Sequence, residues 1–280
     1  MGKADLHIHT IASDGKLTPV ELLGKVREKG LKTVSITDHD TISGYLEAKE
    51  PAREMGIELI PGVEITTIWK EKEVHLLAYC FDDEDSSFNE LILRQKGARR
   101  LRMRSIVEEL NKKGVEIEYD EVRAIAHKSN IGRPHAASLL IKKGYVSSVP
   151  EAFIRYLSED HLKEIQTEYA GIEEVVEVTK QAGGVLSIAH PGPIYSQPEI
   201  DELLTFGVDG IECIHPSHNF NVQRNFTRMA KSRNLLITGG SDFHGNGKSE
   251  YDPYLGVVTL GDDHVVSIKR TSMNRKKIKT

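Results

Sequence analysis

A chain of 280 residues, with 39% hydrophobic and 28% charged residues, has the composition of a soluble globular protein rather than a disordered one. No apolar stretch reaches the roughly 20 residues a membrane-spanning helix needs, and Met-Gly-Lys-Ala passes straight into a strand pattern with no signal-peptide segment. A formal net charge of −5 argues against a general nucleic-acid coat protein. Two widely spaced cysteines, Cys80 and Cys213, imply no disulfide framework, read as small buried residues and fit a cytoplasmic protein.

The first third alternates strand and helix. Ala4–His9 is a strand pattern, and Thr18-Pro19-Val20-Glu21 is a capping box that starts a helix running to Gly30. Thr33–Thr37 is a second strand. Ser43–Met55 is a helix in which Pro51 predicts a kink or early break. Ile57–Ile60 with Val63–Thr67 carries a third strand, and Glu73–Tyr79 a fourth.

From about Ser86 to Glu168 the pattern turns helical, with helices at Leu91–Lys113, Asp120–His127, Arg133–Lys143 and Val149–Leu157. Alternation then returns through Ile172–Gln181, Gly184–Ala189, Ile200–Thr205, Val208–Ile214, Val222–Ser232 and Leu235–Thr238, with a last strand at Leu255–Leu260 and a basic tail from Lys269 to Lys279. The simplest architecture is an α/β fold, a (β/α) barrel interrupted after its fourth strand by a small helical insertion. The expected division is barrel over residues 1–97, insertion over 98–168 and barrel again over 169–280.

Nearly all of the metal-donor side chains sit where these strands end. His7 and His9 are two apart and share a strand face with Asp5. Asp14 follows, then His39 in Thr37-Asp38-His39-Asp40, Glu64, His75, His190, and Asp242 with His244. Imidazole and carboxylate together suit Mn, Fe or Zn. One zinc ion needs three or four ligands, so nine candidates are too many for a single ion. Such ions activate water and polarise phosphoryl oxygens, which points to a metal-dependent hydrolase.

These motifs, with Ser13-Asp14-Gly15, Pro61-Gly62-Val63-Glu64, Val74-His75, His190-Pro191 and Gly240-Ser241-Asp242-Phe243-His244-Gly245, resemble the PHP (polymerase and histidinol phosphatase) superfamily from residue 5 to about 256. Val74–Tyr79, the arginine-rich helix and Gly132-Arg133-Pro134-His135 resemble its branch of nucleoside-3′,5′-bisphosphate phosphatases and 5′→3′ exoribonucleases. The resemblance implies a distorted seven-stranded barrel of TIM type holding three divalent ions, usually manganese. Their ligands would be His7, His9, Asp14, His39, Glu64, His75, His190, Asp242 and His244. Asp5 would lie behind them, accepting from a ligand imidazole. A hydroxide on those metals would attack phosphorus. Leu157–Tyr169 departs from this branch, lacking the Gly- and Pro-rich pattern expected where the insertion rejoins the barrel. The resemblance therefore does not fix the lid geometry or the substrate length.

Arg99 and Arg102 are three apart on the long helix and share a face. With Arg133 and His135 they are candidates to grip a second phosphate. Arg94, Lys96 and Arg104 read as surface charge. Asp40 is a candidate for proton transfer to the leaving oxygen or for holding substrate. His215 and His218 line the site, with His218 taken as a substrate contact, whereas His127, His161 and His264 read as surface residues. The expected function is hydrolysis of 3′,5′-bisphosphonucleotides or of the 5′ ends of short RNA. Two alternatives are a small-metabolite phosphatase of the histidinol-phosphate type and a non-catalytic metal-binding module. No membrane association or obligate protein partner is implied.

Overall fold

The first strand, β1 (Lys3–Ile8), is buried at every position after Lys3, so it lies inside the molecule with both faces covered. The computed structural model describes residues 3–278 apart from 71, 128, 193 and 246–250, and Lys279 of the basic tail lies outside them. Helix α1 (Pro19–Glu28) starts with the expected capping box, in which Thr18 accepts from the Glu21 amide and Glu21 from the Thr18 amide. Next come β2 (Thr33–Ile36) and α2 (Ser43–Glu54), which runs on through Pro51. The expected third strand is two strands, β3 (Glu58–Leu59) and β4 (Gly62–Trp69), in different sheets. The fourth is β5 (Lys72–Tyr79).

The helical stretch consists of α3 (Ser86–Lys112), α4 (Tyr119–Ala126), α5 (Arg133–Lys142), α6 (Val149–Ala152) and α7 (Glu159–Leu162). The helix expected over Val149–Leu157 changes to a π-helical turn at Phe153–Leu157. Asp85 caps α3 by accepting from the Phe88 amide, so that helix starts before Leu91. Its residues divide between two cores. Phe88, Leu91 and Ile92 pack among the strands, whereas Met103, Ile106, Val107 and Leu110 pack with α4, α5 and the residues up to Leu162. The expected boundary between residues 97 and 98 falls inside this one helix.

The chain then gives α8 (Ile172–Gln181), β6 (Val185–Ile188), α9 (Gln197–Thr205), β7 (Gly210–Ile214), α10 (Phe220–Ser232), β8 (Leu236–Gly239), β9 (Leu260–Gly261) and α11 (Asp262–Ile278). The strand expected over Leu255–Leu260 is not formed. Gly256 at φ 76° breaks the extended run, and only Leu260 joins β9, antiparallel to β1. The basic tail is the end of α11, packed across the end of the strands opposite the metal-donor residues. There Lys269 pairs with Glu58, Arg275 with Asp209 at 2.6 Å, and Ser272 donates to the carbonyls of Cys80 and Gly183.

The strands form two sheets, ordered β3-β2-β1-β9 and β4-β5-β6-β7-β8. Their ladders do not join into one ring, but isolated parallel bridges, Ile8 with Phe243 and His39 with Glu64, lie between the facing edges. The expectation of parallel strands fails at β5, which runs antiparallel to both β4 and β6. Its reversal brings its N-terminal half to the end where the parallel strands finish. His75 therefore sits opposite Thr66, just beyond Glu64.

Candidate metal centre

Each residue of Thr37-Asp38-His39-Asp40 has its own partner. Thr37 Oγ1 accepts from the Ile8 amide. Asp38, fully buried, accepts from the Thr10 amide and the hydroxyls of Thr10 and Ser13 at 2.6–2.8 Å, which orders the loop that carries Asp14. His39 turns to the centre and Asp40 away from it. Gly240 has to be glycine because a Cβ there would lie 2.4 Å from the His7 nitrogen. Asp40, His190 and Asp242 hold positive φ of 50°, 29° and 50°, which is backbone strain concentrated at one site.

Glu64 is the hub. Its two oxygens lie 2.9–3.3 Å from nitrogens of His7, His9, His39, His75 and His190. Asp242 Oδ1 is 3.1 Å from His9 Nε2 and 3.3 Å from His7 Nε2. Asp14 Oδ1 is 3.5 Å from His244 Nε2, and the His244 and His9 rings stack at 4.2 Å. All nine residues expected as ligands are thus brought to one place.

Four groups present donor atoms within 4.8 Å of one another: His9, Asp14, His39 and His244; His39, Glu64 and His75; His7, His9 and Glu64; and His7, His215 and Asp242. Among the described residues, both ring nitrogens of His9, Asp14 Oδ1, His39 Nδ1 and His75 Nδ1 are buried with charged neighbours close by but no partner aligned for a hydrogen bond. Buried polar atoms with no partner are costly. This donor set therefore fits divalent cations, which would coordinate those atoms.

The charges agree with that reading. Burial disfavours the anions, but the surrounding imidazoles hold Asp14, Glu64 and Asp242 well below the usual carboxylate range. Burial likewise opposes protonation of His75 and His244, yet Glu64 and Asp14 respectively push them up to about 10. These imidazoles share protons with carboxylates, and cation binding would release such protons.

Asp5 does not take the expected place behind an imidazole. Its Oδ1 accepts from the backbone amides of His7 and Ser241, and burial pushes its carboxyl up to about 7. The residue behind the imidazole is Glu212, in the middle of β7. Its Oε1 lies 3.0 Å from His7 Nδ1 and its Oε2 accepts from the His190 amide at 2.7 Å. Sequence reasoning missed it, although one charged residue inside the apolar run Ile211-Glu212-Cys213 was the available signal.

The expected phosphate contacts are already paired. Arg99 donates to Asp40 Oδ2 at 2.8 Å and to Thr66 Oγ1 at 2.7 Å. Asp40 Oδ1 accepts from the Thr66 amide. Fully buried and saturated with donors, Asp40 holds a guanidinium and is not placed to pass a proton to a leaving group. Arg102 lies 2.8 Å from Glu73 Oε2, Arg133 lies 3.6 Å from Glu73 Oε1, and both reach Glu159. Glu73 also contacts His75 Nε2 at 3.3 Å, so it links the arginines of the helical part to the centre.

His135 accepts from the Gly132 amide, and burial pushes it down to about 4, so at neutral pH it is uncharged. His218 does not offer a free ring nitrogen. Nδ1 contacts the Cys213 carbonyl and Nε2 accepts from Gly192, where any Cβ would strike the His218 ring. His215 does face the centre, with Nε2 3.4 Å from Asp242. Asn130, not foreseen, donates to the His39 and Asp40 carbonyls and ties the helical part to the strand ends.

Residues 5–211 match the PHP domain family. The chain belongs to that family. A 5′-3′ exoribonuclease of Haemophilus influenzae is 36% identical over 247 residues, covering 86% of this PHP chain and 90% of that protein. A 3′,5′-nucleoside bisphosphate phosphatase of Chromobacterium violaceum is 29% identical over 258 residues, 90% of each. A solved structure from Bifidobacterium adolescentis, assigned as a metal-dependent phosphoesterase, matches with a TM-score of 0.83 and 33% identity over 96% of both chains. Among the described residues, no helix of this PHP protein is long and apolar enough to cross a membrane.

Proposed function

We propose that this PHP protein is a metal-dependent phosphoesterase that hydrolyses phosphate esters of nucleotides, with 3′,5′-bisphosphonucleotides and the 5′ ends of short RNA as substrates. One observation carries the reading. Glu64 gathers five imidazoles, and Glu73, in contact with one of them, holds two guanidiniums beside the same centre. A substrate with one phosphate at the imidazoles and another at the arginines matches that layout.

His7, His9, Asp14, His39, Glu64, His75, His190, Asp242 and His244 would hold three divalent ions, with manganese as the expected metal. Bound there, such ions lower the pKa of water and neutralise charge on phosphoryl oxygens. The chain's own residues do the rest. Glu212 fixes the His7 ring, and Asp40 aims Arg99. Arg102 and Arg133 present planar donors suited to a phosphate, which takes the place of Glu73 and Glu159. His135 contributes a hydrogen bond rather than a charge.

In this reading β1, β2, β4, β5, β6, β7 and β8 are a distorted seven-stranded (β/α) barrel with its seams at the two isolated bridges. Residues 98–168 are a lid inserted between barrel segments 1–97 and 169–280, and the separate second core supports that division. The free thiols of Cys80 and Cys213 fit a cytoplasmic location.

The test is phosphate or mononucleotide release from adenosine 3′,5′-bisphosphate and from a short 5′-phosphorylated RNA. Protein stripped of metal and reloaded with Mn²⁺ is compared with the variant Asp242→Asn, His244→Ala. Activity lost in the variant is expected. No turnover of either substrate with metal bound would overturn the nucleotide reading in favour of a small-metabolite phosphatase.

A further inference from the structure

We propose that the outer face of α10 is a binding track for single-stranded RNA, taking the nucleotides that lie beyond the reacting end. The position of that end rests on the phosphoesterase reading. Phe220, Arg224 and Arg228 follow at four-residue steps with Lys231 three further on, so they share one face of the helix. Phe220 is 75% exposed, and the Arg224 guanidinium lies 5.8 Å from the centre of its ring.

Among the described residues, no carboxylate forms an ion pair with Arg224, Arg228 or Lys231. Some surface cations near this face are matched, as in Lys70 with Glu202, Lys72 with Glu199 and Arg233 with Asp201. On a chain of net charge −5, this strip keeps uncompensated positive charge. Between its side chains lies a groove of about 450 Å³, with Ile214 among its lining residues and Gln223 and Thr227 beside the cations.

The strip is also in the right place. Ile214 ends β7, and the next residue, His215, reaches Asp242 at the metal centre. The groove is therefore lined by the residue that precedes His215 in the chain. It follows a helix of 13 residues, a length of about 20 Å at 1.5 Å per residue.

The chemistry favours one occupant. Cations spaced along a groove follow a phosphate backbone, and an exposed aromatic ring gives an unpaired base a surface to stack on. Paired bases would not offer that face. A lipid surface would call for a broader apolar face than one ring supplies.

The test compares binding of a phosphorothioate RNA dodecamer and dinucleotide, both 5′-phosphorylated and fluorescently labelled, to metal-loaded protein. The wild type should bind the dodecamer at least tenfold more tightly. The variant Phe220→Ala, Arg224→Ala, Arg228→Ala should lose that gain and keep unchanged hydrolysis of adenosine 3′,5′-bisphosphate. The slope of log affinity against log salt should fall by about 1.4, at roughly 0.7 for each phosphate no longer neutralised. Phe220→Ala alone should weaken dodecamer binding without changing the slope and leave heparin binding unaltered.

Equal wild-type affinity for the two RNAs, or a length gain that survives in the triple variant, would overturn the track. An equal loss of heparin binding in Phe220→Ala would overturn its assignment to RNA. Failure of the phosphoesterase reading shows separately, as absence of wild-type hydrolysis.

Discussion

Oε1 of Glu212 lies 3.0 Å from Nδ1 of His7, so two residues 205 positions apart fix one imidazole. The other Glu212 oxygen accepts from the His190 amide, and one buried carboxylate thereby sets two of the candidate ligands. Glu212→Gln keeps the shape and removes the charge. Divalent metal affinity should fall by about 10–100-fold, the usual effect of losing a partner behind a ligand. Competition with a chromogenic chelator measures it, with circular dichroism as the folding control. Unchanged affinity would remove Glu212 from the centre.

Asp40 and Arg99 form a buried pair at 2.8 Å. Removing one partner of such a pair leaves an uncompensated charge and costs about 3–5 kcal/mol. Asp40→Asn should lose stability on that scale in urea denaturation. A change below about 1 kcal/mol, the size expected of an exposed pair, would contradict the pairing.

Glu73 faces both Arg102 and Arg133. Burial disfavours its charge, but Arg133, His75 and Arg102 hold its pKa well below the carboxylate range. In Glu73→Gln the guanidiniums lose a counter-charge that an anion can replace. The variant should melt lower than the wild type without ligand, and inorganic phosphate should raise its melting temperature by more than it raises the wild type's. Equal phosphate shifts would show that these arginines do not receive the anion.

Burial depresses the His135 pKa to about 4 from an ordinary 6.5. Between those values the unfolded chain binds a proton that the folded chain refuses, so stability falls as pH drops from 6.5 towards 4. The loss amounts to about 3 kcal/mol at most, at 1.36 kcal/mol per pH unit. His135→Gln should lack that share of the acid sensitivity in denaturation curves followed from neutral pH to about 4. Parallel pH profiles for the two proteins would mean that the imidazole is not held neutral.

The gathering of the nine donors was legible because most of them sit at or just after a strand end, so type and order survive in local sequence. The reversal of β5 was not. Its hairpin with β4 turns near Lys70, at φ 48°, with none of the Asn-Gly or Gly signals that mark such turns. Asp40 was legible as a residue of the site but not in its role, because Arg99, its partner, is 59 positions away. Glu212 was hidden inside a strand otherwise made of apolar residues and glycine. The helix that carries the basic tail from Lys269 was not foreseen, although Asp262 and Asp263 in its first turn and Arg275, Lys276 and Lys277 in its last complement the helix dipole.

The reversed strand also sets a direction of travel. After an ordinary parallel strand the chain leaves at the metal end, and the following helix carries it away. After β5 the chain leaves at the opposite end, where the Asp82 amide donates to the Ala182 carbonyl, and α3 must climb back. From Ser86 to Arg99 is 13 residues, about 20 Å of helix. That rise covers about three quarters of the length of β4, eight residues at about 3.3 Å each. Arg99 and Arg102 thus arrive level with the imidazoles on a rod footed in the core among the strands, and the same rod, continuing upward, becomes the first wall of the helical part. One inverted strand is enough to turn a returning helix into a mast.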